Sequence, residues 1–157
     1  MSTLKQSIIH DLESIISGDP WYGPSASEVL NTVDASVIHR HAGNAHSIAE
    51  VLIHMAAWTE EVAARLQGRI AADPVRGDWP DPSPYNWDAL REMFLAAHHR
   101  LLKVIEGFPD EQLDNEVPYQ REVYGVTFRD TLEGLSRHHT YHLGQISILN
   151  KLLSQRK

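Results

Sequence analysis

From Phe128 onward, core-type positions return in alternating steps of four and three: Phe128, Leu132, Leu135, His139, His142, Ile146, Leu149 and Leu153. That rhythm is the seam of a helix packed lengthwise against other helices. A strand cannot produce it, because its faces alternate at every second residue. Thr127 and Asp130 stand where the N-terminus of such a helix is capped. A helix with one apolar seam needs partners, and three further segments carry matching stripes. The first runs from about Leu4 to Ile16 through Leu4, Ile8, Leu12 and Ile15, with a Thr3/Gln6 capping box in front and Gly18 and Pro20 behind. The second opens on the Ser47/Glu50 box and carries Ile48, Val51, Leu52, Met55, Thr59, Val62 and Leu66 before Gly68. The third opens near Asn86, carries Trp87, Leu90, Phe94, Ala97, Leu101 and Val104, and ends at Gly107 with Pro109 beyond. The expected fold is all-α, a four-helix bundle with long connections.

Those connections have characters of their own. Residues 18–46 hold a short expected helix from Ala26 to Val33 and the polar stretch HRHAGNAH. Residues 68–85 are rich in Pro, Asp and Gly and read as a loop over one end. Residues 108–126 read as irregular, with an extended piece from Val117 to Tyr124. Connections of this length permit a bundle that is not simply up-down-up-down. The 157 residues suit one domain spanning the chain, burying roughly two-thirds of its unfolded surface.

Several function classes fall away on composition. No apolar run approaches the roughly 20 residues that cross a bilayer, so no membrane partner is expected. The opening MSTLKQSIIHDLESII has acids within it and no small-residue cleavage site, which reads as a cytoplasmic protein without a signal peptide. There is no cysteine, hence no disulfide, thiolate ligand or thiol nucleophile. The net charge is −7 and the 14 basic residues are scattered, with one short basic tail at Gln155-Arg156-Lys157. Nucleic-acid binding needs clustered Lys and Arg, so none is expected.

The ten histidines are the compositional outlier. His138 and His142 lie one helical turn apart, the spacing at which two imidazoles reach one ion. The segment between them, HHTYH, lacks the glutamate of HExxH, so this is no zincin protease helix. Histidines in a seam of Phe, Leu and Ile must be satisfied, since a buried imidazole without partners costs about 1–3 kcal/mol. A third ligand must come from another helix, and His54, mid-way along the second, is the candidate. One shared ion requires the ring of residue 54 within about 8 Å of the other two, given ligand bonds near 2 Å. His139 also faces the bundle and can either replace His138 or support it from behind. His98 and His99 form a further pair on the third helix, read as packing or solvent-facing. His39, His41 and His46 can line a mouth, and His10 reads as exposed. No Glu-x-x-His occurs, which removes the di-iron carboxylate bundle, and there is no phosphate-binding Gly-rich loop or G-x-S-x-G elbow. Trp58 can wall a pocket beside His54. Glu60 and Glu61 follow His54 by nearly two turns, Glu61 the nearer in helical angle, but neither identifies a general base.

These residues carry a resemblance to the DinB-like (YfiT-related) metalloenzyme superfamily over almost the whole length. It rests on AHSIAEVLIHMAAW (Ala45 to Trp58), on RHHTYHLGQI (Arg137 to Ile146), where the final histidine precedes Gly-Gln, and on WYGPS (Trp21 to Ser25). The resemblance implies a bundle with three histidine ligands, matched here by His54, His138 and His142, around a divalent ion, zinc or nickel, with open positions for water. His139 stands where members vary and is not carried over. Leu143 stands where many relatives have arginine, which removes a cation near the site. Some relatives are S-transferases or isomerases using low-molecular-weight thiols such as bacillithiol or mycothiol, and homodimers are frequent. The expected function is therefore a metal-dependent transferase or hydrolase for a small molecule, with loops 34–46 and 68–85 choosing the substrate. The alternatives are a non-catalytic metal- or ligand-binding stress protein and a metal-free helical scaffold.

Overall fold

Each of the four striped segments forms the helix that its end signals define. The computed structural model describes residues 3–119 and 125–154. Its helices are α1 (Leu4–Ser17), the short α2 (Ala26–Asn31), α3 (Ile48–Leu66), α4 (Trp87–Gly107) and α5 (Phe128–Ser154), with 3-10 turns at Ala35–Val37 and Asp110–Gln112. The Thr3/Gln6 and Ser47/Glu50 capping boxes both close, and Ser25/Glu28 forms a third at α2. Asn86 accepts from the Ala89 N–H, and Thr127 and Asp130 bond reciprocally at the start of α5. Every cap relieves N–H groups that the first turn leaves without partners.

The seam of α5 is buried at all eight expected positions, and Leu143 joins it. In α4 the stripe changes step in its last turn: Ile105 is buried where Val104 is only half-buried. A step of four from Leu101 follows the 3.6-residue turn better than a step of three at that point. The short helix ends at Asn31, two residues before the expected Val33. The end of the expected extended piece, residues 120–124, lies outside the described residues, as does the basic tail. What precedes it forms isolated bridges, Ala71 with Tyr119 and Glu116 with Thr127, and no strand.

α3 is the central helix, with 15 of its 19 residues buried, and it packs against both α4 and α5. The apolar interior divides into two clusters. One gathers Val29, Leu30, Leu52, Met55, Phe94, Ile146 and Leu149. The other gathers Leu12, Val62, Leu101, Ile105, Phe128, Leu132 and Leu135. Each fully buried Leu, Ile or Phe contributes about 1.5–3 kcal/mol, so both clusters are needed to hold the bundle. Between them the stripes are interrupted by polar groups, Thr59 from α3, His98 from α4 and His139 from α5, all buried. Among the described residues no helix is long and apolar enough to cross a membrane.

Candidate metal centre

Two helices and one loop meet at the edge of that polar layer. α3 presents His54 and α5 presents His138 and His142, whose ligand-capable nitrogens all lie within 4.8 Å of one another. Their ring centroids are 5.0 Å (54 to 138), 4.8 Å (54 to 142) and 4.4 Å (138 to 142) apart. The convergence that one shared ion requires is therefore met.

Hydrogen bonds fix which nitrogens are available. His54 donates from Nδ1 to the carbonyl oxygen of Asp78 at 2.6 Å, which leaves Nε2 with a lone pair facing His138 Nε2 at 2.9 Å. His142 donates from Nδ1 to Gln145 Oε1 at 2.7 Å, freeing its own Nε2 in the same way. Remote-nitrogen bonds of this kind hold the tautomer and ring orientation that a metal needs. His138 Nδ1 is buried and makes no hydrogen bond among the described residues. Burial lowers the pKa of all three rings, to about 4 for His138, where the neighbouring His142 and His54 add to the effect. The Asp78 carbonyl and carboxylate pull the other way on His54 but do not overcome burial. The rings are thus neutral near pH 7, the form that ligates.

This donor set fits a divalent ion. Two nitrogens bound at about 2 Å stand at most about 4 Å apart, so side-chain movements of less than about 1 Å bring the widest pair into range. Three imidazoles leave the charge of such an ion intact, and a tetrahedral ion keeps a fourth position for water or substrate.

His139 does not belong to this group. The Thr59 hydroxyl gives its proton to the Met55 carbonyl at 2.8 Å and so accepts from His139 Nε2 at 3.2 Å, which turns His139 inward. His98 is buried 6.1 Å from His139, centroid to centroid, while His99 is exposed. His10 is exposed as expected. Of the three loop histidines, only His46 reaches the site's surroundings. His39 bonds the Tyr85 carbonyl and His41 bonds Glu50. Neither Glu60 nor Glu61 faces the cavity: Glu60 pairs with Arg76 and Arg100, and Glu61 with Arg65 and Arg69.

The histidines open onto a cavity of about 470 Å³ lined by Trp58, Val62, Arg65, Asp78, Tyr119 and Leu135 among others. That is the size of a small-molecule site. The 68–85 loop closes one side. Trp79 stacks on His54 at 3.9 Å and His46 stacks on the far face of Trp79 at 3.6 Å, while Trp58 Nε1 donates to Asp78 Oδ1 at 2.7 Å. Asp78 and Trp79 were not singled out from sequence, and Gln145 entered only as part of the motif after His142, without a role. Gln145 had a signal, since it follows His142 by three residues and so shares its helix face. Asp78 and Trp79 had none, because a loop carries no periodicity.

A family model described as the DinB superfamily matches residues 25–146, from the cap of α2 to the seam residue just past the α5 histidines. No curated protein and no solved structure matches the chain.

Proposed function

This chain belongs to the DinB superfamily, and on that premise we propose that it is a metal-dependent enzyme acting on a small molecule, with His54, His138 and His142 as ligands of a divalent ion, zinc or nickel. The observation that carries the reading is the meeting of three neutral imidazoles, two with their remote nitrogens locked, at the wall of a largely apolar cavity. Bound there, such an ion lowers the pKa of water from about 16 towards 7 or holds a substrate thiol as thiolate, which suits a hydrolase or a thiol S-transferase. The chain's own work is positional. Asp78 and Gln145 keep Nε2 of His54 and His142 available, Trp79 covers one face of His54, and Val62 and Leu135 exclude water from the substrate's side of the site. The reading includes a low-molecular-weight thiol as one substrate and a homodimer as the working form.

A second reading, a non-catalytic metal or ligand binder, is favoured by one observation. The sole carboxylate lining the cavity among the described residues, Asp78, has its Oδ1 engaged by Trp58 and His54, so the cavity offers at most one free carboxylate oxygen as a base. The test begins with elemental analysis of untagged protein, followed by turnover of electrophiles with a panel of thiols and of activated esters. The enzyme reading expects about one zinc or nickel per chain and turnover abolished by His142→Ala but retained by His10→Ala. Metal without turnover on either panel selects the binder, and absence of metal overturns the enzyme reading and the metal-binding form of the second.

A further inference from the structure

We infer that Arg65, three helical turns beyond His54 on α3, forms an anion subsite in the cavity that the histidines line, so that the substrate is a small molecule with an apolar body and a carboxylate. The inference rests on the proposed use of this cavity for a substrate, and it names that substrate's class. Arg65 lies on α3, is 7% exposed, and lines the same cavity as His54, His138 and His142. Its guanidinium carbon is 5.5 Å from the centre of the Trp58 ring and 5.9 Å from that of Tyr119, so two aromatic faces hold it in place. The Trp58 ring is also 6.4 Å from the His54 ring, which puts the guanidinium within about 12 Å of that histidine, the span of a small molecule.

The charge around Arg65 does not cancel. Glu61 is fully buried and its carboxylate is shared by two arginines: Oε1 accepts from Arg65 Nε at 3.0 Å, and Oε2 lies 3.1 Å from Arg69 Nη1. One carboxylate between two guanidinium groups leaves one net positive charge. Arg65 Nη2 donates to the Ala72 carbonyl at 3.0 Å, and Nη1 makes no hydrogen bond among the described residues. A preset, desolvated guanidinium with a nitrogen to spare, walled by apolar and aromatic side chains, is the chemistry that selects a carboxylate over its neutral isostere. The other charged lining group, Asp78, sits at the histidine end and is half-exposed. An acid lying with its anion at Arg65 therefore keeps it clear of that repulsion.

The experiment is calorimetric binding of 4-phenylbutyrate, 4-phenylbutyramide and 4-phenylbutylamine to the full chain, as purified and after chelator treatment. Because the chelated arm needs no metal, its outcome is independent of the elemental analysis that judges the metal reading. The acid is expected to bind at least tenfold tighter than the amide or the amine in both arms. Arg65→Gln should reduce that preference to under twofold while leaving the amide's affinity and the metal content unchanged. Glu61→Gln should raise the preference, since it deletes the compensating charge and keeps Arg65. A merely structural Arg65 predicts parallel losses for acid and amide in both variants. Equal binding of acid and amide, no binding of the acid, or a preference that survives Arg65→Gln overturns the inference. If Arg65→Gln does not fold, an unchanged preference in Glu61→Gln overturns it as well.

Discussion

Acidification tests the polar layer inside the bundle. His98 is 2% exposed, and burial lowers its pKa to about 4 from an ordinary 6.5. The groups facing it are His99 beside it on α4, His139 on α5, the Phe94 ring and, from α1, the Leu12 carbonyl, which favours the charged form too weakly to offset burial. Neither ring nitrogen makes a hydrogen bond of good geometry among the described residues. Unfolding restores the ordinary pKa, so between pH 6.5 and 4 the unfolded chain binds a proton that the folded chain refuses. Stability therefore falls as pH falls through that window, and the loss levels off below the folded value. With those two pKa values, moving from pH 7 to pH 5 costs about 2 kcal/mol through this residue. His98→Leu deletes the ring and its two unpaired nitrogens, and should be more stable at pH 7 by about 1 kcal/mol. Urea denaturation of chelated wild type and variant at both pH values isolates the effect, because every other histidine is common to the two. The variant's advantage should grow by about 2 kcal/mol on going to pH 5. An advantage constant to within about 0.5 kcal/mol would refute the view that His98 is held neutral in the core.

Three further outcomes are expected. Gln145→Leu removes the acceptor that orients His142 and should weaken zinc binding by roughly 10–100-fold in a chelator competition titration, and unchanged affinity would show the bond has no orienting role. Zinc at about a thousand times its Kd should add about 4 kcal/mol, raising Tm by roughly 10 °C in a thermal melt, reversed by chelator; no shift would leave the histidines without an ion to share. Tyr141, Ile148 and Leu152 are exposed at spacings of seven and four along α5, so sedimentation should return twice the 17.8 kDa chain mass and Ile148→Asp the single mass; a monomeric wild type would overturn the homodimer.

Much of the architecture was legible because it is written in local terms. A capping box closes within four residues, and an apolar stripe reports the face a helix buries, so Ser47, Asn86 and Thr127 marked true starts and the α5 seam was right at every position. The same locality explains the slip at Val104, where either of two adjacent positions satisfied the stripe and packing selected Ile105. The candidate site was legible in part. Spacing placed His138 and His142 within reach of one another, the need for a third ligand from another helix pointed to His54, and the resemblance matched the same three residues. Choosing between His138 and His139 was beyond spacing, because each lies on the inner half of α5.

The linear order of residues established four amphipathic helices, their ends, and an excess of imidazole within the seam. It did so because helix formation and face selection depend on neighbours three or four positions away. Tertiary structure alone decided that Thr59 claims His139 while His138 turns to His54, and that a loop lays Asp78 and Trp79 on that histidine. Those pairings join side chains up to 84 positions apart, and no periodicity encodes them. They follow from which faces the packed helices bring together and from the cost of leaving a buried polar atom without a partner.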